Sequence, residues 1–243
     1  MVRFALLASI VVVSLAGTAA ADLRSFTQTY EYASVPEGNT TLELWHTQGR
    51  ATWDASSPQS FDQVIEIEHG ITEHWDIGVR SVFSQTTGDA ISAEALGLSA
   101  TKLASRYRFA DRGEWPVDTL LFGEVSKRFG DSIYRLEAQL VLARDFDQLT
   151  VAANAVVAIE LGNDVPETGL DVGYAAGLTY QVHPKLRIGA ESWGGRDGDD
   201  VAVSVGPALS WAPTSSFWVA LTAGFGVVDA DELSARAIVG IEL

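Results

Sequence analysis

Beyond residue 40 the chain repeats one pattern about a dozen times. Roughly ten residues alternate apolar and polar side chains, and a short break rich in turn-forming residues follows. The stretch from Thr150 to Leu161 shows the unit: Val151, Val157, Ile159 and Leu161 share one parity, and Thr150, Asn154 and Glu160 share the other. A β-strand points successive side chains to opposite faces, so each such segment has one greasy face and one polar face. A chain built almost wholly of these segments must bury the greasy faces against one another or turn them toward lipid.

The pattern predicts twelve strands, over 40–50, 59–70, 75–85, 93–109, 116–129, 133–145, 149–161, 170–181, 186–195, 201–211, 216–227 and 234–243. The breaks alternate in character. One set is tight, as at Ile71 to His74, Ala110 to Glu114, Asp145 to Asp147 and His183 to Lys185. The other set is mostly longer and acidic, as at Ala51 to Pro58, Thr86 to Ser92, Gly162 to Gly169, Gly195 to Asp200 and Val228 to Leu233. Short periplasmic turns opposite longer external loops are a feature of outer-membrane barrels. The expected fold is therefore all-β: a single antiparallel up-and-down transmembrane β-barrel of about 12 strands, spanning 40–243.

What precedes the barrel reads as two pieces. Residues 1–21 carry Arg3, an apolar run from Phe4 to Ala16 and a small-residue site at Ala19-Ala20-Ala21, the layout of a cleavable signal peptide. Residues 22–39 read as a periplasmic lead-in or a strand fragment. No later stretch reaches the ~18 to 20 apolar residues of a membrane-crossing helix. The chain has no cysteine, so disulfides cannot staple the fold, and closure of the sheet is another way to remove its edges. The net charge is −16 at pH 7, which argues against nucleic acid as a partner.

Parity assigns the faces. Ile65 and Ile67 are expected to face lipid, with Leu103, Tyr107, Leu136, Leu140, Leu221 and Phe225. The opposite parity supplies candidates for a pore lining of mixed charge: Glu43, Glu66, Glu68, Arg80, Lys102, Arg106, Arg108, Glu124, Arg135, Glu137, Asn154, Glu160, Arg187, Glu191 and Arg236. His46 and Lys127 fall on the outward face, where groups near a strand end can reach the headgroups. Trp53, Trp75, Trp115, Trp211, Trp218, Phe61, Phe83, Phe146 and Tyr180 lie near the breaks, as the aromatic girdles of such barrels do.

Two features resemble a family of presumed outer-membrane transporters named for the meta-pathway of phenol degradation. One is Tyr32-Ala33-Ser34-Val35-Pro36-Glu37-Gly38-Asn39-Thr40-Thr41-Leu42-Glu43, an aromatic lead-in and a Pro-x-Gly turn running into a strand. The other is strand entry after a turn, as in Thr72-Glu73-His74-Trp75-Asp76-Ile77-Gly78 and His183-Pro184-Lys185-Leu186-Arg187-Ile188-Gly189. The resemblance implies a Gram-negative outer-membrane channel and carries over no catalytic residues. The chain departs from that group in ending Ile241-Glu242-Leu243, without a terminal aromatic ring.

Catalysis and metal binding have little support. His46, His69, His74 and His183 show neither ligand spacing nor a nucleophile–base arrangement, and no cofactor is expected. The acidic runs at 196–200 and 229–232 read as a solvated surface rather than a cation site. Three functions stay open. The first is passive passage of small solutes through a narrow lumen. The second is a structural or adhesive envelope role, with acidic loops contacting lipopolysaccharide or cations. The third is solute binding by a soluble periplasmic β-barrel. In the membrane readings the partners are outer-membrane lipid, lipopolysaccharide and the barrel-assembly machinery.

Overall fold

A computed structural model describes residues 24–54, 56–88, 95–165, 169–197 and 200–243. The expected signal peptide lies outside the described residues. The strands are β1 (Thr40–Arg50), β2 (Gln59–Thr72), β3 (Trp75–Thr87), β4 (Gly97–Arg108), β5 (Asp118–Arg128) and β6 (Tyr134–Phe146). They continue as β7 (Leu149–Leu161), β8 (Leu170–His183), β9 (Leu186–Asp197), β10 (Asp200–Trp211), β11 (Phe217–Val228) and β12 (Leu233–Glu242). Each pairs antiparallel with its neighbours in sequence, and β1 also pairs with β12, from Thr41 opposite Glu242 to Arg50 opposite Leu233. The sheet is a closed twelve-stranded barrel. Closure matters because an unpaired backbone group in hydrocarbon costs several kcal/mol, and a closed sheet leaves no edge.

The faces follow parity. On β2, Val64, Glu66, Glu68 and Gly70 are buried while Ile65 and Ile67 are exposed. On β6, Leu136, Leu140 and Leu142 are exposed and Gln139 is buried. The exposed large side chains are dominated by Leu, Val, Ile and aromatics, and the interior mixes carboxylates and guanidinium groups with buried apolar side chains such as Leu120, Phe122 and Ile238. A soluble barrel turns polar side chains outward, so the soluble reading fails on this apolar exterior.

Two connections differ from expectation. The β4–β5 connection runs from 109 to 117 rather than being tight, because its start folds inward and buries Ala110. The loop expected at 195–200 shrinks, because Gly195, Arg196 and Asp197 pair onto Ala202, Val201 and Asp200. Between β6 and β7 a two-residue turn places Asp147 at φ 53, the left-handed region that tight hairpins demand.

Trp218 does not belong to the girdle. It is 2% exposed and lies inside against Gly240, where ring atoms approach to 2.1 Å of the place a Cβ would occupy. Its parity, opposite to Phe217 and Val219, already carried that signal. Trp53, Trp75, Trp115, Trp211, Phe146 and Tyr180 are exposed.

Candidate functional site

The wall delivers its charges to the lumen in cross-strand rows. Glu43 on β1 sits opposite Glu66 on β2, Glu66 opposite Arg80 on β3, and Arg80 opposite Lys102 on β4. One step toward the turns, Glu68, Asp76 and Arg106 form a second group. Arg80 Nε lies 2.6 Å from Glu66 and its Nη1 lies 2.7 Å from Glu124. Lys102 Nζ reaches Glu124 at 2.8 Å. Arg106 holds Glu68 at 2.8 Å and Asp76 at 3.0 Å. Glu66, Glu68, Asp76, Arg80, Arg106 and Glu124 are all buried, and removing one partner of a buried pair costs about 3–5 kcal/mol.

The interior also holds the segment before β1. Residues 24 to 30 run into the middle of the lumen, and residues 32 to 37 return to the end that carries the short turns. Ser210 on β10 donates to the Arg24 carbonyl at 2.6 Å. Phe26 is fully buried against Gly177 of β8, its ring within 2.5 Å of where a Cβ would stand, so only glycine leaves it room. The backbone N–H groups of Thr27, Gln28 and Thr29 donate to the Glu191 carboxylate at 2.9, 2.7 and 2.8 Å. The Thr222 hydroxyl donates to the same carboxylate.

Asn154 then treats the segment as a neighbouring strand. Its Oδ1 accepts from Tyr30 N–H at 2.7 Å and its Nδ2 donates to Tyr30 C=O at 2.9 Å. Tyr30 stacks on Phe122 and its hydroxyl accepts from Arg80 at 2.8 Å. On the way out, Arg112 donates to Tyr32 C=O at 3.0 Å, and the Tyr32 hydroxyl meets the backbone of Ala110. Val35 N–H donates to Asp76 at 2.8 Å. The inward fold of the β4–β5 connection is thus a clasp on this segment. The sequence presents residues 22–39 as a lead-in or strand fragment; the stretch from Arg24 to Val35 lies in the barrel interior, and Glu37 and Gly38 emerge exposed at its end.

The fifteen sequence candidates separate into three groups. Glu66, Glu68, Arg80, Lys102, Arg106 and Glu124 form the ion network just given, and Glu43, in its first row, pairs with Arg24 of the segment at 3.1 Å. Asn154, Glu191 and Arg236 hold the segment, Arg236 donating to Thr27 C=O at 3.2 Å. Arg135, Glu137, Glu160 and Arg187 stand apart from both groups, and Arg108 touches the segment only near its exit. Arg135 pairs with Asp171 and lies 3.7 Å from Glu137, Glu160 lies 3.8 Å from Arg128, and Arg187 donates to Thr150 at 2.8 Å. Arg108 lies over the Tyr32 ring near the turns, 5.6 Å from its centroid.

Several participants escaped the sequence reading. Asp76 and Trp45 were legible by parity, since each alternates with outward residues. Arg24, Phe26 and Tyr30 carried no periodic signal. Beyond the segment, toward the longer loops, a cavity of about 640 Å³ has Gln28 on its lining with Glu137, Gln139, Trp193, Ser204 and Asp231. Among the described residues no group of three or more His, Cys, Asp or Glu is placed to hold a metal ion.

No family model and no curated protein matches the sequence. Solved structures do match in fold. An outer membrane channel from Pseudomonas putida F1 aligns at TM-score 0.68 and 10% identity, covering 89% of this chain and all (100%) of that one. The NanC porin aligns at 0.56 and 10% identity over 83% of this chain and 100% of its own. The KdgM porin aligns at 0.54 and 11% identity over 83% and 97%. The chain therefore has the closed-barrel fold of outer-membrane channels and porins.

Proposed function

We propose that this protein is an outer-membrane channel for small solutes whose lumen is occluded by its own N-terminal segment, and that passage accompanies displacement of that segment. The observation that carries the reading is how the segment is held. Its backbone is gripped by wall side chains through hydrogen bonds, with Phe26 as its one large fully apolar anchor in the middle of the lumen. Each such bond can be exchanged for one to water, at a net worth of about 0.5–1.5 kcal/mol where both partners are neutral, as at Asn154, and about 1.5–3 kcal/mol where one is charged, as at Glu191. A segment held so can detach while the barrel stays closed.

The apolar exterior supports residence in the bilayer, and the short turns then face the periplasm. Outer-membrane lipid, lipopolysaccharide and the assembly machinery are the partners that follow from that location. The aligned structures are those of channels and porins, one of them described in complex with disordered oligogalacturonate. That kinship of fold supports passage of small solutes and no enzymatic role.

The filled lumen favours a second reading, a stiff envelope protein with no transport. Planar-bilayer recording of the pure folded protein separates the two. Discrete current steps with a low open fraction are expected, and their absence at every voltage overturns the channel reading.

A further inference from the structure

The ion network does not balance without the segment. Four of its wall carboxylates have a wall cation at ion-pair distance: Glu66 and Glu124 with Arg80, and Glu68 and Asp76 with Arg106. Glu43 and Glu191, both buried, each have one wall donor and take their remaining partners from the segment. Glu43 is paired by Arg24 at 3.1 Å, and Glu191 is satisfied by three segment N–H groups together with Thr222. Arg24 is also stacked: its guanidinium lies 5.0 Å from the Trp45 ring centroid, and Trp45 Nε1 donates to Glu43 at 2.8 Å. The wall groups Arg80 and Arg236 also lie over this ring, at 4.8 and 5.5 Å, but the cation that pairs with Glu43 belongs to the segment, and a carboxylate beside an aromatic face forms a recognition site for a planar cation.

We infer that the wall site at Glu43 and Trp45 is a binding site for cationic solutes of the guanidinium or primary ammonium class, which displace Arg24 and so open the lumen. The inference rests on the channel reading and names its solute class. Around the space Arg24 to Thr29 would vacate, and among the groups of the ion network and the segment's holders, withdrawal leaves six carboxylates (Glu43, Glu66, Glu68, Asp76, Glu124 and Glu191) facing four cations (Arg80, Lys102, Arg106 and Arg236). Both carboxylates left without the segment's donors then favour a positive guest. A neutral isostere lacks the charge that Glu43 requires, and an anion meets a net negative wall.

The test uses the full chain in planar bilayers with methylguanidinium as probe, methylurea as its neutral isostere and acetate as an anion. Methylguanidinium at millimolar concentration is expected to raise the open fraction roughly tenfold, the scale of one contact to a charged group. Methylurea and acetate are expected to leave it unchanged. In Glu43→Gln the response is lost. Arg24→Gln leaves the barrel wall untouched and is expected to open without the probe and to pass cations over anions in a salt gradient. Equal responses to methylguanidinium and methylurea, or an Arg24→Gln channel without cation preference, overturn the inference and leave the channel reading standing. No current under any condition overturns both.

Discussion

At the scale of single residues, Glu191 and Asn154 do the same work with different chemistry. Glu191 gathers three successive N–H groups, bonds to a charged acceptor worth about 1.5–3 kcal/mol each. Glu191→Ala is expected to raise the open fraction in bilayer recordings by at least about tenfold, since even one such bond exceeds the 1.4 kcal/mol of a decade. A barrel that still shifts its gel mobility on heating, with unchanged current, would show that the carboxylate is no latch. Asn154 reads the Tyr30 backbone in both directions, so its replacement has two separable effects. Asn154→Arg faces the lumen and is expected to cost little in folding into bilayers, yet to free the segment. Val157→Arg faces lipid and is expected to cost roughly 2–4 kcal/mol of folding. Denaturant titration in liposomes compares them, and equal costs would undo the assignment of faces.

At the scale of elements, the strands were legible in the sequence and the segment was not. Alternation along β7 predicted 149–161, and the strand is Leu149–Leu161, because a strand with one face in lipid and one in the lumen has no freedom to change parity. Connections were legible only where turn chemistry is local. The reach of β9 to Asp197 depends on pairing with β10, which no window of residues displays. The segment from Arg24 to Val35 forms no strand, and its bonds join residues far apart in sequence, as from Thr27 to Glu191. Parity could place Glu191 inside the barrel but could not name its guest.

Gly177 is where element meets segment. Gly177→Val places side-chain atoms where the Phe26 ring lies, and it is expected to expel residues 24–30 and expose them to added protease while the barrel itself resists. Continued protection of the segment in that variant would contradict the packing described. The loop ends offer a pH dependence. The Ile133 N–H holds Asp131 below the usual carboxylate range, and the Ser132 hydroxyl and N–H do the same for Asp164. Both folded values are depressed, so the ordering they give to these loops is fully present above the unfolded value of about 3.9 and is lost as pH falls through the lowered ones. Amide exchange at Ser132 and Ile133 is expected to keep its protection factor from pH 7 to about 5 and to lose it only in strong acid.

For the molecule as a whole, two closures coexist. The pairing of β1 with β12 seals the wall against lipid, and the segment before β1 fills the bore that the wall encloses. About eight strands fill their interior with side chains, while 16 to 18 leave a water channel. Twelve leave room that the chain occupies with its own backbone. The polar interior serves both states, because each bond to the segment can be exchanged for one to water or solute. Heating the detergent-extracted protein is expected to shift its migration on a denaturing gel, as the closed wall unfolds only when boiled. Migration unaffected by heating would count against closure.

The segment's role is decided most directly by fixing it in place. Thr27 and Thr222 both bring their hydroxyls to the same oxygen of Glu191, and the chain carries no native cysteine. In the double variant Thr27→Cys, Thr222→Cys, a short reducible bis-thiol reagent links the segment to the wall. Bilayer current is expected before linking, to vanish once the link is verified by mass, and to return on reduction. Current that persists unchanged through the verified link would contradict the claim that solutes pass only when the segment moves.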